Sequence, residues 1–123
     1  MKETSMKYLC LVYGEEKKIT AMADDECMAY DRSLRNGGRC IASEALQPVH
    51  TATTVRVRNG KLSITDGPFA ETKEFLAGFY LIDAADRNEA IQIASQMPPA
   101  RVGSIEVRPV RELTSTSGEG RQL

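Results

Sequence analysis

The residues best equipped for chemistry lie close together between positions 65 and 74, in the string TDGPFAETKE. Asp66 and Glu71 are carboxylates able to take up or release a proton, and Lys73 is a cation able to pair with one of them or steady a substrate anion. Phe69 adds one aromatic anchor. Opposite charge lowers a carboxylate's pKa and burial raises it, so the surroundings decide which acid holds a proton at neutral pH. The same string also reads as plain turn chemistry. Pro68 fixes its own φ and pushes Gly67 toward extended geometry, and Asp66, just before that pair, can accept backbone N–H bonds and hold the loop shut. From the residue types alone, brace and site both stand.

The other chemistry-bearing side chains are isolated. His50, the one histidine, sits in the polar connection PVHTATT and reads as a solvated loop residue with no triad partners in sight. Cys10, Cys27 and Cys40 are odd in number and widely spaced, each inside a segment that reads as strand or helix. Small buried hydrophobes in a reducing cytoplasm account for them, and no metal-ligand spacing is present. Sixteen basic residues against seventeen acidic ones, without a basic run or helix face, lack the footprint of a nucleic-acid binder. The longest apolar runs, 9–13 and 79–82, fall far short of the roughly 20 residues that span a bilayer, and MKETSM lacks the apolar core of a signal peptide. A soluble cytoplasmic protein is expected.

The elements that must position the loop follow from periodicity. A chain of 123 residues suits one domain. Residues 6–13 and 75–83 are apolar at nearly every position, as strands covered on both faces are, and Gly78 marks a bulge or close approach. After a charged link at 15–18, a helix starts between residues 20 and 24. It carries Ala23, Cys27, Tyr30 and Leu34 as its apolar stripe and stops at Asn36-Gly37. Residues 39–46 read as a second strand ended by Gln47-Pro48. Residues 53–65 are two alternating runs around Asn59-Gly60, a type I′ hairpin pairing Arg58 with Lys61, Val57 with Leu62 and Val55 with Ile64. Its apolar residues share one face, and Arg56, Arg58, Lys61 and Ser63 the other. Asp86 and Glu89 resemble a capping box ahead of a second helix with Ala90, Ile93, Ala94 and Met97, ended by Pro98-Pro99. Residues 103–110 alternate and carry a proline, as an edge strand does. Residues 1–5 and 113–123 have the composition of flexible ends around a domain at 6–112.

The order is β-α-β, an inserted hairpin, then β-α-β. This predicts an α+β, ferredoxin-like βαββαβ sheet with the two double-faced strands central. Two helices cover one face of such a sheet, so the apolar opposite face calls for a partner, most economically a second copy.

MKYLCLVYG, Leu46-Gln47-Pro48, TATTVRVRNGK, TDGPFAETKE and GFYLID resemble, in this order, the YCII-related proteins of the DGPF type, over about residues 6–112. The resemblance implies a dimeric α/β barrel built from ferredoxin-like subunits. It also implies small-molecule chemistry of an isomerase or lyase kind without a cofactor, given the kinship to muconolactone isomerase-like proteins. The matching residues make Asp66, Glu71 and Lys73 the catalytic candidates, with Tyr13, Glu44 and Phe69 as ligand-binding ones. Some relatives carry a His and Asp pair with the His between strand one and helix one. No histidine stands there in this chain. Because DGPF genes often neighbour those of extracytoplasmic-function sigma factors, the resemblance also implies an alternative, a non-catalytic regulatory partner in sigma-factor-linked transcription control.

Overall fold

The computed structural model describes residues 5–115 and 120–121. Strand β1 (Met6–Gly14) leads through α1 (Glu16–Thr20) to α2 (Asp24–Asn36) and β2 (Cys40–Ala45). A 3-10 turn (Val49–Thr51) precedes the hairpin β3 (Thr53–Arg58) and β4 (Lys61–Asp66), after which β5 (Phe75–Ala84), α3 (Arg87–Ser95), a second 3-10 turn (Pro98–Arg101) and β6 (Ser104–Pro109) complete the domain. Leu113–Thr114 (β7) pairs with Gly120–Arg121 (β8). The flexible ends expected at 1–5 and 113–123 otherwise lie largely outside the described residues.

The fold is α+β. Four strands form one antiparallel sheet in the order β2-β5-β1-β6, so the two strands with apolar residues on both faces are central and the proline-bearing strand is at an edge. Tyr8, Cys10 and Val12 of β1 and Tyr80, Ile82 and Ala84 of β5 point to the helices, where they pack with Leu34, Ala90, Ala94 and Met97. Cys10, Ile82 and Met97 are wholly shielded. Burying one side chain such as Ile82 contributes about 1.5–3 kcal/mol. The Tyr30 hydroxyl donates to the Ile93 carbonyl over 2.8 Å, tying α2 to α3. Its ring meets Tyr80 edge-on, with centroids 6.0 Å apart.

Local chemistry explains the boundaries. Asp86 accepts from the Glu89 N–H at 2.9 Å, as the sequence predicts. Glu89 reaches past the usual capping-box partner to the Ala85 N–H at 2.7 Å and also binds Arg39 at 2.8 Å. The link at 15–18, expected to be irregular, is mostly helical. The Glu15 carbonyl accepts from the Lys18 and Ile19 N–H groups at 3.0 Å each, and its carboxylate pairs with Lys18 at 3.1 Å. That ion pair holds the Glu15 carboxyl below its usual pKa through the Lys18 hydrogen bond first, with the charges of Lys18 and Lys73 adding to it.

The hairpin has the predicted register and a type I′ turn, with Asn59 at φ 53° and Gly60 at φ 75°. It stands apart from the four-stranded sheet as a sheet of its own. Its apolar side is consequently bare: Val55, Val57, Leu62 and Ile64 are each at least 60% exposed.

Candidate functional site

A cleft of about 660 Å³ opens between the end of the central sheet and the DGPF loop. Tyr13 of β1 and Phe75 and Leu76 of β5 form its inner end, the connection from Leu46 to Val49 one side, and Thr51, Ala52, Thr53 and Thr54 the next. Pro68, Phe69 and Ala70 close over it, with Thr72 and Glu74 below them. A smaller hollow, lined in part by Ser104 and Glu106, shares Tyr13 and Glu74 with this cleft.

Three local features build it. The register between β1 and β5 shifts after Val12, so Tyr13 stands opposite Leu76 and Ala77 has no partner across the ladder. Such a bulge bends the strand and re-aims the side chain beside it. The DGPF loop is then pinned to the start of the hairpin: the Gly67 N–H donates to the Ala52 carbonyl at 2.7 Å, and the Thr54 hydroxyl donates to the Gly67 carbonyl at 2.8 Å. To make both bonds Gly67 adopts φ 101°, a region open to glycine, rather than the extended geometry expected before Pro68. Finally, the Thr72 hydroxyl donates to the Glu74 carbonyl at 2.6 Å, and the Ser104 hydroxyl to Glu74 Oε1 at 3.1 Å. These bonds fix the one carboxylate side chain in the cleft lining.

The expected site residues are therefore split. Tyr13 and Phe69 line the cleft, Phe69 as an exposed lip at 78%. Asp66, Glu71 and Lys73 are exposed and lie outside the cleft lining. The loop brace expected of Asp66 falls instead to the backbone of Gly67 and the hydroxyl of Thr54. Glu44 stands opposite Phe79 in the β2–β5 register, away from this cleft. Glu74 was legible as one charge of the loop, but its partner Ser104 comes from a strand 30 residues on, and only the β1–β6 pairing brings it there.

The lining is thus mainly apolar, with threonine hydroxyls, the Gln47 amide, the Tyr13 phenol and the Glu74 carboxylate as its polar side chains. It can hold a small organic molecule and offer it one acid–base side chain. Among the described residues no three His, Cys, Asp or Glu side chains come together as a metal-ligand set.

The YCII-related domain family matches residues 6–114. The chain belongs to the YCII-related family. An uncharacterised protein of Rhizobium meliloti (strain 1021) is 38% identical to it over 114 residues, covering 85% of this chain and 92% of that protein. In this YCII-related domain the matched span takes in every strand from β1 to β7, so the cleft and both its walls lie inside the family region. No helix among the described residues is long and apolar enough to cross a membrane.

Proposed function

We propose that this YCII-related domain is a cytoplasmic homodimer that binds a small, largely apolar organic molecule in the DGPF-loop cleft and moves a proton on it without a cofactor. The observation that carries this reading is the Glu74 carboxylate, held by Ser104 at 3.1 Å in a mainly apolar cleft of about 660 Å³. A positioned carboxylate beside a bound carbon acid is the minimal apparatus of an isomerase or lyase. In this reading the Tyr13 phenol, part of the cleft lining, hydrogen-bonds the developing oxyanion and Phe69 covers the ligand. Asp66, Glu71 and Lys73 surround the loop and tune the field at the mouth, the proton-transfer role going to Glu74 as the acid in the lining. The reducing compartment is supported by three free thiols.

What supports the homodimer is the sheet face away from the helices. Across it the register aligns Leu81 with Leu9 and Phe79 with Leu11, all only half-buried, with Glu44, Glu106 and Arg108 around them. A second copy laid on this face would recover about 25 cal/mol for each Å² of apolar surface covered and would form a dimeric barrel. A second reading, contact with a regulatory protein, draws on the bare apolar side of the hairpin.

The test is proton exchange in D2O. A panel of small lactones and aromatic enols is screened for binding by saturation-transfer NMR, with deuterium incorporation read by mass spectrometry. Binding that persists in Glu74→Gln while deuterium incorporation disappears is the expected result. Binding insensitive to cleft-filling by Thr54→Trp overturns the cleft as the site, and unchanged exchange in Glu74→Gln overturns its role.

A further inference from the structure

A second cavity lies on the opposite side of the sheet, between α2 and the inner face of β1, β2 and β5. Its volume is about 140 Å³, close to the roughly 150 Å³ of an apolar cavity that holds benzene. Val12, Ile19, Met22, Ala77 and Pro99 give it an apolar body. Asp24, Cys27 and Asp31, at i, i+3 and i+7 on one face of α2, supply its chemistry. The Tyr80 hydroxyl donates to Asp31 Oδ1 at 2.7 Å, which fixes the carboxylate in place, and among the described residues the other oxygen takes no hydrogen bond.

The charged side chains in this lining are carboxylates, and one cation, Arg35, stands at its edge. No Lys or Arg belongs to the lining itself. Arg35 donates to the Ser43 hydroxyl at 3.0 Å from that edge, and Arg101 is bound by Glu26. Glu44 contributes where β2 passes, standing in register with Phe79 rather than with the helix-facing Ser43. Burial pushes the Cys27 thiol's pKa up first, and the charges of Asp31, Glu26 and Asp24 push it further against a smaller opposing pull from Arg101. A neutral thiol therefore lies beside a fixed carboxylate. The aromatic hydroxyl of Tyr80, its pKa raised by burial and then by Asp31, likewise stays protonated as the donor.

We infer that this cavity is a binding site for a small ammonium compound with an apolar body of about one ring, its N–H groups donating to the free oxygen of Asp31 and its ring enclosed by Val12, Ile19 and Met22. Carboxylate-bound ammonium combines a charge-assisted hydrogen bond with burial of the ring. A carboxylate ligand of the same size meets Asp24 and Asp31 at close range and is repelled. The site shares no lining residue with the Glu74 cleft, so the two readings stand or fall separately.

The experiment titrates the intact protein with benzylammonium, benzyl alcohol and benzoate, following backbone amide shifts. Benzylammonium is expected to shift Cys27, Asp31 and Tyr80 and to leave Phe69 and Glu74 unmoved, with benzoate giving no shift there. Asp31→Asn is expected to weaken benzylammonium at least tenfold and to leave benzyl alcohol unchanged, whereas Glu74→Gln changes neither. Equal binding of the three probes, or shifts confined to the Phe69 side, overturns the site. Because the shift map is read on the unaltered chain, it decides the matter even where Asp31→Asn fails to fold.

Discussion

Gly78 passes so close to Glu44 that a Cβ built on it would stand 2.7 Å from the Glu44 carbonyl oxygen. Both groups are backbone of adjacent strands, β2 and β5, in a sheet whose register is fixed on either side. Gly78→Ala must therefore push the strands apart or distort the bulge beside it, at a cost of about 2 kcal/mol. Urea denaturation followed by circular dichroism checks this. An unchanged midpoint would mean that the strands can separate without loss.

The turn at Asn59-Gly60 supports a more local prediction. Gly60→Val places a β-branched residue at φ 75°, costing about 1–2 kcal/mol or more. The hairpin forms its own two-stranded sheet, so the strain loosens the hairpin rather than the core. Hydrogen exchange is expected to quicken at Arg56 and Ser63, a hydrogen-bonded pair of the hairpin ladder, while Cys10 and Ile82 keep their protection. Uniform acceleration at all four amides would show that hairpin and core melt together.

Asp86 caps α3 with a 2.9 Å bond to the Glu89 N–H. Asp86→Ala should lower stability by about 1 kcal/mol, and Asp86→Ser, which keeps an acceptor, by only a few tenths. Thermal unfolding of the two variants side by side separates loss of the cap from loss of charge.

High pH should destabilise the protein in two stages. Burial lifts the Cys10 thiol from 9.0 to about 11 and the Tyr30 phenol from 10.0 to about 12. Each group keeps its proton longer in the folded chain than in the unfolded one, so folded protein binds more protons between the two values and stability falls as pH rises through that window. Loss is expected to begin near pH 9 through Cys10 and to continue from pH 10 to 12 through Tyr30. Cys10→Ala should make the loss between pH 9 and 10 shallower, leaving the part due to Cys27, whose pKa is also raised from 9.0, and should leave the loss above pH 10 through Tyr30 and Tyr80 in place. A pH profile of the urea midpoint tests the order of the two stages.

The sheet face away from the helices gives the last prediction. Leu11, opposite Phe79 and Glu106, is central to it. Leu11→Asp is expected to leave an exposed, charged face and a monomer by light scattering, with the unaltered chain a dimer at micromolar concentration. A monomer in both would remove the dimer from the proposal.

Much of the architecture was determined by sequence alone, because it rests on patterns that act over a few residues. Continuous apolar runs at 6–13 and 75–83 marked the central strands, Asn59-Gly60 marked the hairpin and its register, and Asp86 with Glu89 marked the start of α3. The site depended on contacts between segments far apart in the chain. Ser104 meets Glu74 because β6 pairs with β1, and Asp31 meets Tyr80 across 49 residues because α2 lies over β5. Spacing within one segment carries no record of such meetings. The DGPF string likewise announced its charges but not their directions: Gly67 turned to φ 101° to bond Ala52 and Thr54, and with that turn Phe69 went to the cleft while Asp66, Glu71 and Lys73 stayed in solvent. Local residue chemistry set the elements, and the hydrogen bonds between them decided which side chains came to share a space.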